Sequence, residues 1–390
     1  MRMNRLLFAL FLLPLAVLPA AACPFCPQAG QTLSQEVGQA HIILLGTLSN
    51  AKRDPNEFGS GSTDMTIETV VKDNPFLKDK KLVTLPRYVP SDPKQPMKYL
   101  VFIEIYKDKL DPYKGEAVAV DSKIGDYLKG AIAVREKDSP TRLKYFYDYL
   151  DSPENAISMD AFMEFAGADY KDVAAISSHM KPDTIVKWLQ DPNTQPSRYG
   201  FYGSLLGHCG NGKEHGPLLR KLLEDPAKKF ASGIDGMLAG YVILDPKEGW
   251  DFVKQLLGDE KQEFLTRYAA LRTVRFFHDY RSDVKSADQC VEALKPLLDQ
   301  PDIADLPIDD LRKWKRWDLA DKIISLYGQK SHSIPIVKRS IIRFALSAPA
   351  DNAKVAVFLK ERRAEDADRV AEIEQLLELE KATPKAEVKN

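Results

Sequence analysis

The 390-residue sequence predicts an α+β, multidomain chain, with a small β-barrel or sandwich at its N-terminus and an α-helical solenoid after it. Two observations predict the solenoid. A corner, made of an apolar helix end and an acidic, mostly proline-marked break, recurs at Leu150-Asp151-Ser152-Pro153, Leu189-Gln190-Asp191-Pro192, Leu223-Glu224-Asp225-Pro226, Leu257-Gly258-Asp259-Glu260 and Leu298-Asp299-Gln300-Pro301. Asp151, Asp191, Asp225 and Asp259 are 40, 34 and 34 residues apart, the period of stacked helix pairs that cannot bury their apolar faces alone. Second, Ser197-Arg198-Tyr199-Gly200 and Thr266-Arg267-Tyr268-Ala269 open equivalent helices 69 residues, or two repeats, apart. A third observation, a set of short alternating apolar runs before residue 121, predicts the β module.

In chain order, residues 1–22 read as a secretory signal. Arg2 and Arg5 are the basic start, Leu6 to Leu18 is an apolar run too short to span a bilayer, and Ala20-Ala21-Ala22 is a small-residue cleavage site that leaves Cys23 first. Export to a periplasmic or extracellular compartment follows from this reading, as does an oxidising environment for the four cysteines, Cys23, Cys26, Cys209 and Cys290. Lipidation at Cys23 is the alternative fate of that residue, and the only route to a membrane.

Residues 23–137 form the β module. After a short helix at Thr32 to Gln39, strands are expected at Ala40 to Gly46, Met65 to Val71, Leu82 to Leu85, Tyr99 to Ile105 and Glu116 to Val120. The stretches Asn50 to Gly61 and Tyr88 to Pro96 are polar and rich in Pro, Gly and Asp, and read as loops. A helix from Asp126 to Val134 closes the module, and Glu136 to Pro140 is a linker. Cys23 at a processed N-terminus, the β meander and the segment Tyr99 to Ile105 resemble an OB-type netrin or metalloprotease-inhibitor domain. The resemblance implies a terminal cysteine tied by disulfides to later ones; here no cysteine follows Cys26 within the module, so inhibition does not carry over.

Residues 138–380 carry apolar residues at three- and four-residue spacing in successive segments, from Leu143 to Leu150 through Val355 to Leu359, and resemble HEAT-like repeats. Arg362 to Leu379 reads as one charged amphipathic cap helix, and 381–390 as a tail.

Composition excludes several function classes. Apolar residues make up 44% and charged residues 28%, an ordinary globular balance. Net charge is −1; without the first 22 residues, 53 basic residues face 56 acidic ones, giving −3, so no nucleic-acid partner is expected.

Chemical candidates are few. Cys23-Pro24-Phe25-Cys26 is a CxxC pair outside any thioredoxin-like context, so a disulfide between Cys23 and Cys26 is expected, with thiol exchange or metal binding as alternatives. Gly207-His208-Cys209-Gly210-Asn211-Gly212-Lys213 has phosphate-loop spacing, but Glu214 stands where a hydroxyl should hold magnesium; it reads as an inter-repeat turn. His208, Cys209 and His215 lack an evident fourth metal ligand, and His278 beside Asp279 reads as a helix cap. Trp314-Lys315-Arg316-Trp317 reads as two indoles packing between repeats.

The remaining pattern is two glycine rows. Gly200, Gly203 and Gly207 share one helix face, and Gly233, Gly236 and Gly240 repeat the spacing 33 residues later. Six helical glycines cost roughly 3–6 kcal/mol relative to alanine, so something must offset them. Close packing of the two helices is one account. The other is that the rows, with Tyr202, Asp235 and Tyr241, floor a groove on a concave surface. On this basis the sequence predicts a non-enzymatic protein- or peptide-binding scaffold with no cofactor and no metal.

Overall fold

The computed structural model describes residue 25 and residues 30–55, 60–90, 97–225 and 233–382. Cys23 and Cys26, the signal-like segment and the tail from residue 383 lie outside the described residues.

Helix α1 (Leu33–Gln39) is the first helix among the described residues. Thr32 caps it, and Thr32 and Gln35 satisfy each other's backbone N–H groups reciprocally. Five strands follow: β1 (Ile42–Arg53), β2 (Gly61–Lys72), β3 (Leu82–Leu85), β4 (Lys98–Tyr106) and β5 (Lys109–Val118). They form one antiparallel sheet in the order β3-β2-β1-β4-β5. The sheet is open, and this corrects the barrel or sandwich expectation: β3 and β5 end it and share no ladder. One face gathers Ile42, Leu44, Met65, Val83, Leu85 and Ile103 into its own cluster. The other face places Ile43, Leu45, Leu100 and Phe102 in the core of the helical half. With helices covering that face, closure is not needed to bury it. The consecutive run Ile42 to Leu45 is buried throughout because both faces of β1 are covered.

Strand bounds differ from expectation mainly at the sheet's far end. β1 and β2 extend to Arg53 and from Gly61, into residues read as a loop, and β5 covers Lys109–Val118 rather than Glu116 to Val120. The polar residues there sit on exposed strand ends, where burial no longer imposes an apolar pattern.

Helices α2 (Ile124–Val134) and α3 (Ser139–Tyr147) are joined by the segment read as a linker. It is a tight helix–helix turn: Asp138 caps α3 by accepting from Thr141 N, with Pro140 in the first turn. Then come α4 (Asn155–Ala166), α5 (Tyr170–Ala175), α6 (Pro182–Gln190), α7 (Tyr199–Cys209), α8 (Gly212–Glu224), α9 (Ile234–Leu244), α10 (Glu248–Gly258) and α11 (Phe264–Tyr280). The chain ends in α12 (Ala287–Leu294), α13 (Asp305–Lys313), α14 (Ala320–Leu326), α15 (Pro335–Ser347), α16 (Ala353–Glu365) and α17 (Ala367–Ala382). The single cap helix expected over Arg362 to Leu379 is two helices. Asp366 leaves helical geometry at φ −153°, ends α16, and accepts from Arg369 N in the first turn of α17.

One apolar core runs from the sheet through the helices to Ile303. Phe25 belongs to it: its ring lies 4.6 Å from that of Phe276 on α11. A second core, from Val291 to Leu377, fills the C-terminal helices. The β sheet and the first helices are also tied by polar contacts. Asp160 on α4 accepts from Leu33 N (2.5 Å), Ser34 Oγ (2.6 Å) and Tyr127 Oη (2.7 Å), which locks the start of α1 to α2 and α4.

The recurrent corners have a physical role. A helix ends with carbonyls that lack an intrahelical donor. At Leu150, Leu257 and Leu298 that carbonyl is taken by a buried side chain from a later segment. Arg198 Nη1 donates to Leu150 O (2.9 Å), Gln300 Nε2 to Leu257 O (2.7 Å), and His332 Nε2 pairs with Leu298 O (2.8 Å).

Candidate functional site

The glycine rows occupy the seam between α7 and α9. A Cβ on Gly236 would stand 2.2 Å from Gly200 O, one on Gly240 2.0 Å from Gly203 O, and one on Gly207 2.8 Å from Gly240 Cα. Gly200, Gly203, Gly207, Gly236 and Gly240 are buried, and Gly233 opens α9 at φ +97°. The rows therefore face each other across a backbone-to-backbone contact rather than an open groove, and this contact offsets the helix-propensity cost. Asp235 and Tyr241 are buried beside the seam. Asp235 Oδ2 lies 2.9 Å from Arg272 Nη2 in an ion pair not aligned as a hydrogen bond, and burial raises its carboxyl pKa.

Tyr202 leads elsewhere. It sits on the opposite side of α7, where its ring packs 4.9 Å from Trp188 and its hydroxyl accepts from Arg198 Nη1 at 3.2 Å. Burial raises its pKa, which the Arg198 charge partly offsets. Tyr202, Arg198, Trp188, Asp151, Asp191 and Gln195 line a polar pocket of about 220 Å³ between two corners. The loop from α6 to α7 builds its rim. Asp191 Oδ1 accepts from Asn193 N (2.8 Å), and Thr194 Oγ1 donates to Trp188 O (2.6 Å). A short 3-10 turn, Pro196–Arg198, then brings Arg198 under the pocket. Trp188 Nε1 donates to Asp151 Oδ2 at 3.3 Å across the mouth.

Arg198 is the unusual group. Among the described residues three arginines are buried: Arg198 (6% exposed), Arg267 (4%) and Arg312 (8%). Arg267 holds Asp302 through two bonds, and Arg312 pairs with Asp309 and Glu380. Arg198 meets the neutral oxygens of Leu150, Tyr202 and Ser158 and lies over the Phe162 ring at 5.2 Å, and no carboxylate among the described residues forms an ion pair with it. Its Nε has no acceptor among the described residues. A buried guanidinium without a counter-charge is costly. In sequence, Arg198 was visible only as the match to Arg267. Its burial was not legible, because its partners lie 40 and 48 positions away at Ser158 and Leu150.

The other chemical candidates resolve into packing. Gly207 to Lys213 spans the α7–α8 turn, where Asn211 caps α8 and Asn211 N donates to His215 Nδ1 at 2.8 Å. No group of three metal-ligating side chains exists among the described residues. Cys209 and Cys290 are free thiols, pushed up to about 11 and about 12 by burial, so neither is a reactive thiolate. His278 stacks on Trp314 at 3.8 Å, and Trp317 packs edge-on against Phe344. No helix among the described residues is long and apolar enough to cross a membrane. Against known proteins, no family model, no curated protein and no solved structure matches this chain.

Proposed function

We propose that the chain is an exported, non-enzymatic scaffold whose HEAT-like helix pairs bind a protein or peptide. The observation that carries this reading is a recurrence of exposed apolar side chains where second helices of pairs begin. Phe264 and Leu265 open α11, and Ile334 and Ile336 flank the start of α15, 70 residues on; Leu265 is 65% exposed and Ile336 57%. The loop into α7, which rims the Arg198 pocket, holds the equivalent position two repeats before α11. In a stacked array, equivalent loops fall along one edge, and that edge is a common recognition surface. With the glycine rows occupied in the α7–α9 seam, this edge is favoured over the concave floor as the binding surface.

The test is crosslinking mass spectrometry in the native exported compartment, with the double variant Leu265→Glu, Ile336→Glu. Both side chains are exposed, so thermal stability should hold while a defined partner set disappears. Leu82→Glu, exposed on the sheet edge, should leave that set intact. Identical partner sets for all three proteins would remove the reading.

A further inference from the structure

The Arg198 pocket is lined for a particular chemistry. A guanidinium has five N–H donors. Arg198 uses two on Nη1, to Leu150 O and Tyr202 Oη, and one on Nη2, to Ser158 Oγ at 3.3 Å. Nε–H and one Nη2–H are left over. Elsewhere in this chain the Nε/Nη2 pair is what grips a carboxylate: Arg281 holds Asp283 at 2.8 and 2.9 Å, and Arg316 holds Asp318 at 2.9 and 3.0 Å. Leu150, Tyr202 and Ser158 hold the Arg198 guanidinium in place and leave its Nε–H without an acceptor among the described residues.

We propose that this pocket binds a carboxylate carried by a peptide, with Arg198 as the charge partner. The proposal rests on the peptide-binding reading and names the group recognised. The rim decides between anions. Asp151 and Asp191 stand at the mouth, exposed, and their two negative charges disfavour a multiply charged group such as phosphate. They suit a singly charged carboxylate flanked by N–H donors, which is what a peptide backbone presents next to its terminal residue. Trp188 and Tyr202 supply an aromatic wall for the adjoining side chain. The volume, about 220 Å³, lies below the roughly 300–1,000 Å³ of sites that enclose drug-sized ligands, so it admits one residue and not a folded segment.

The experiment uses the full chain and three pools of N-acetylated random hexapeptides: one with a free C-terminal carboxylate, one C-terminally amidated and free of Asp and Glu, and one amidated with a fixed internal Glu. Binding is read by fluorescence anisotropy of a labelled copy of each pool. The expected result is that a carboxylate-bearing pool binds at least about tenfold tighter than the amidated, acid-free one, the size of one charge-assisted pair. Preference for the free terminus or for the internal Glu identifies the source of the carboxylate. Arg198→Lys should weaken that binding by about tenfold or more, because a point charge replaces the fork. Arg198→Met should abolish the preference while keeping the aliphatic stem. Should Arg198→Met fail to fold, Arg198→Lys carries the test alone. Equal binding of all three pools, abolished by Leu265→Glu with Ile336→Glu, would overturn the carboxylate site and leave the scaffold reading standing. No binding of any pool would overturn both.

Discussion

Gln300 Nε2 donates to the carbonyl oxygen of Leu257 at 2.7 Å, and its Oε1 accepts from Arg267 Nη1 at the same distance. One amide thus joins two successive corners and the helix between them. Replacing Gln300 with Ala leaves a buried carbonyl unpaired and removes one acceptor of a buried arginine. The expected loss is about 1–3 kcal/mol in urea unfolding, with the slope of the transition unchanged. Gln300→Glu should lose more at neutral pH, since it sets a buried carboxylate oxygen against the Leu257 carbonyl oxygen with no hydrogen between two acceptors.

The glycine seam predicts a sign. Alanine ordinarily improves a helix by up to about 1 kcal/mol over glycine. Gly203→Ala and Gly236→Ala should instead destabilise by about 1–3 kcal/mol, because the new methyl meets backbone of the facing helix. Gly258, at the end of α10, has nothing within 4 Å of a built Cβ. Gly258→Ala should be neutral or stabilising, and thermal melting of the three variants side by side checks the contrast.

His208 predicts a pH dependence. Burial, reinforced by the Arg281 charge, lowers its pKa to about 4, and its Nε2 has no hydrogen-bond partner among the described residues. The folded state resists protonation, while the unfolded imidazole takes a proton near its ordinary 6.5. Stability contributed by the neutral ring is therefore present above pH 6.5, falls as pH drops through that value, and is gone below about 4. The full span is on the order of 3 kcal/mol. In urea unfolding at pH 7.5, 6 and 4.5, the native chain should lose more than a His208→Gln variant over the same range.

Asp160 predicts an order of unfolding. It is the common acceptor for Leu33 N, Ser34 Oγ and Tyr127 Oη. In Asp160→Ala the start of α1 loses two hydrogen bonds to α4 and keeps that of Thr32 Oγ1 to Glu164, and the buried Tyr127 hydroxyl alone accounts for about 1–3 kcal/mol. Limited proteolysis should cut near residues 30–40 before any site in the helices, and hydrogen exchange should rise in α1 first. Uniform protection across the chain in the variant would contradict this.

What the sequence revealed, and what it hid, follows from burial and distance. β3 was legible at its observed bounds because Leu82 to Leu85 is a short apolar run closed by Pro86. The α7 and α9 rows were legible as spacing, but their mutual contact is a tertiary fact. α13 was missed because its apolar residues Leu306, Ile308 and Leu311 are interrupted by Pro307 and by charges that read as exposed. Two of those charges are buried: Asp310 accepts both of its bonds from Arg275 at 2.9 Å, and Arg312 is held by Glu380. Arg198 was hidden for the same reason, since a charged residue at a helix start reads as surface until its distant partners are known. That the sheet is open was likewise not local information; it depends on which strands pair and which end unpaired.

The seat of Phe25 has a consequence for how the chain is made. Its ring packs against Phe276, 251 positions later, and that site also includes Tyr170, whose ring lies 5.0 Å from that of Phe276. A chain synthesised from its N-terminus has nowhere to place Phe25 until α11 exists and the helices between have stacked. Closing so long a loop contributes no contact until the end and is slow for that reason. Phe25, the first described residue of the chain, is then among the last to dock, and the Phe276 and Tyr170 rings wait for it with one side of their cluster unfilled.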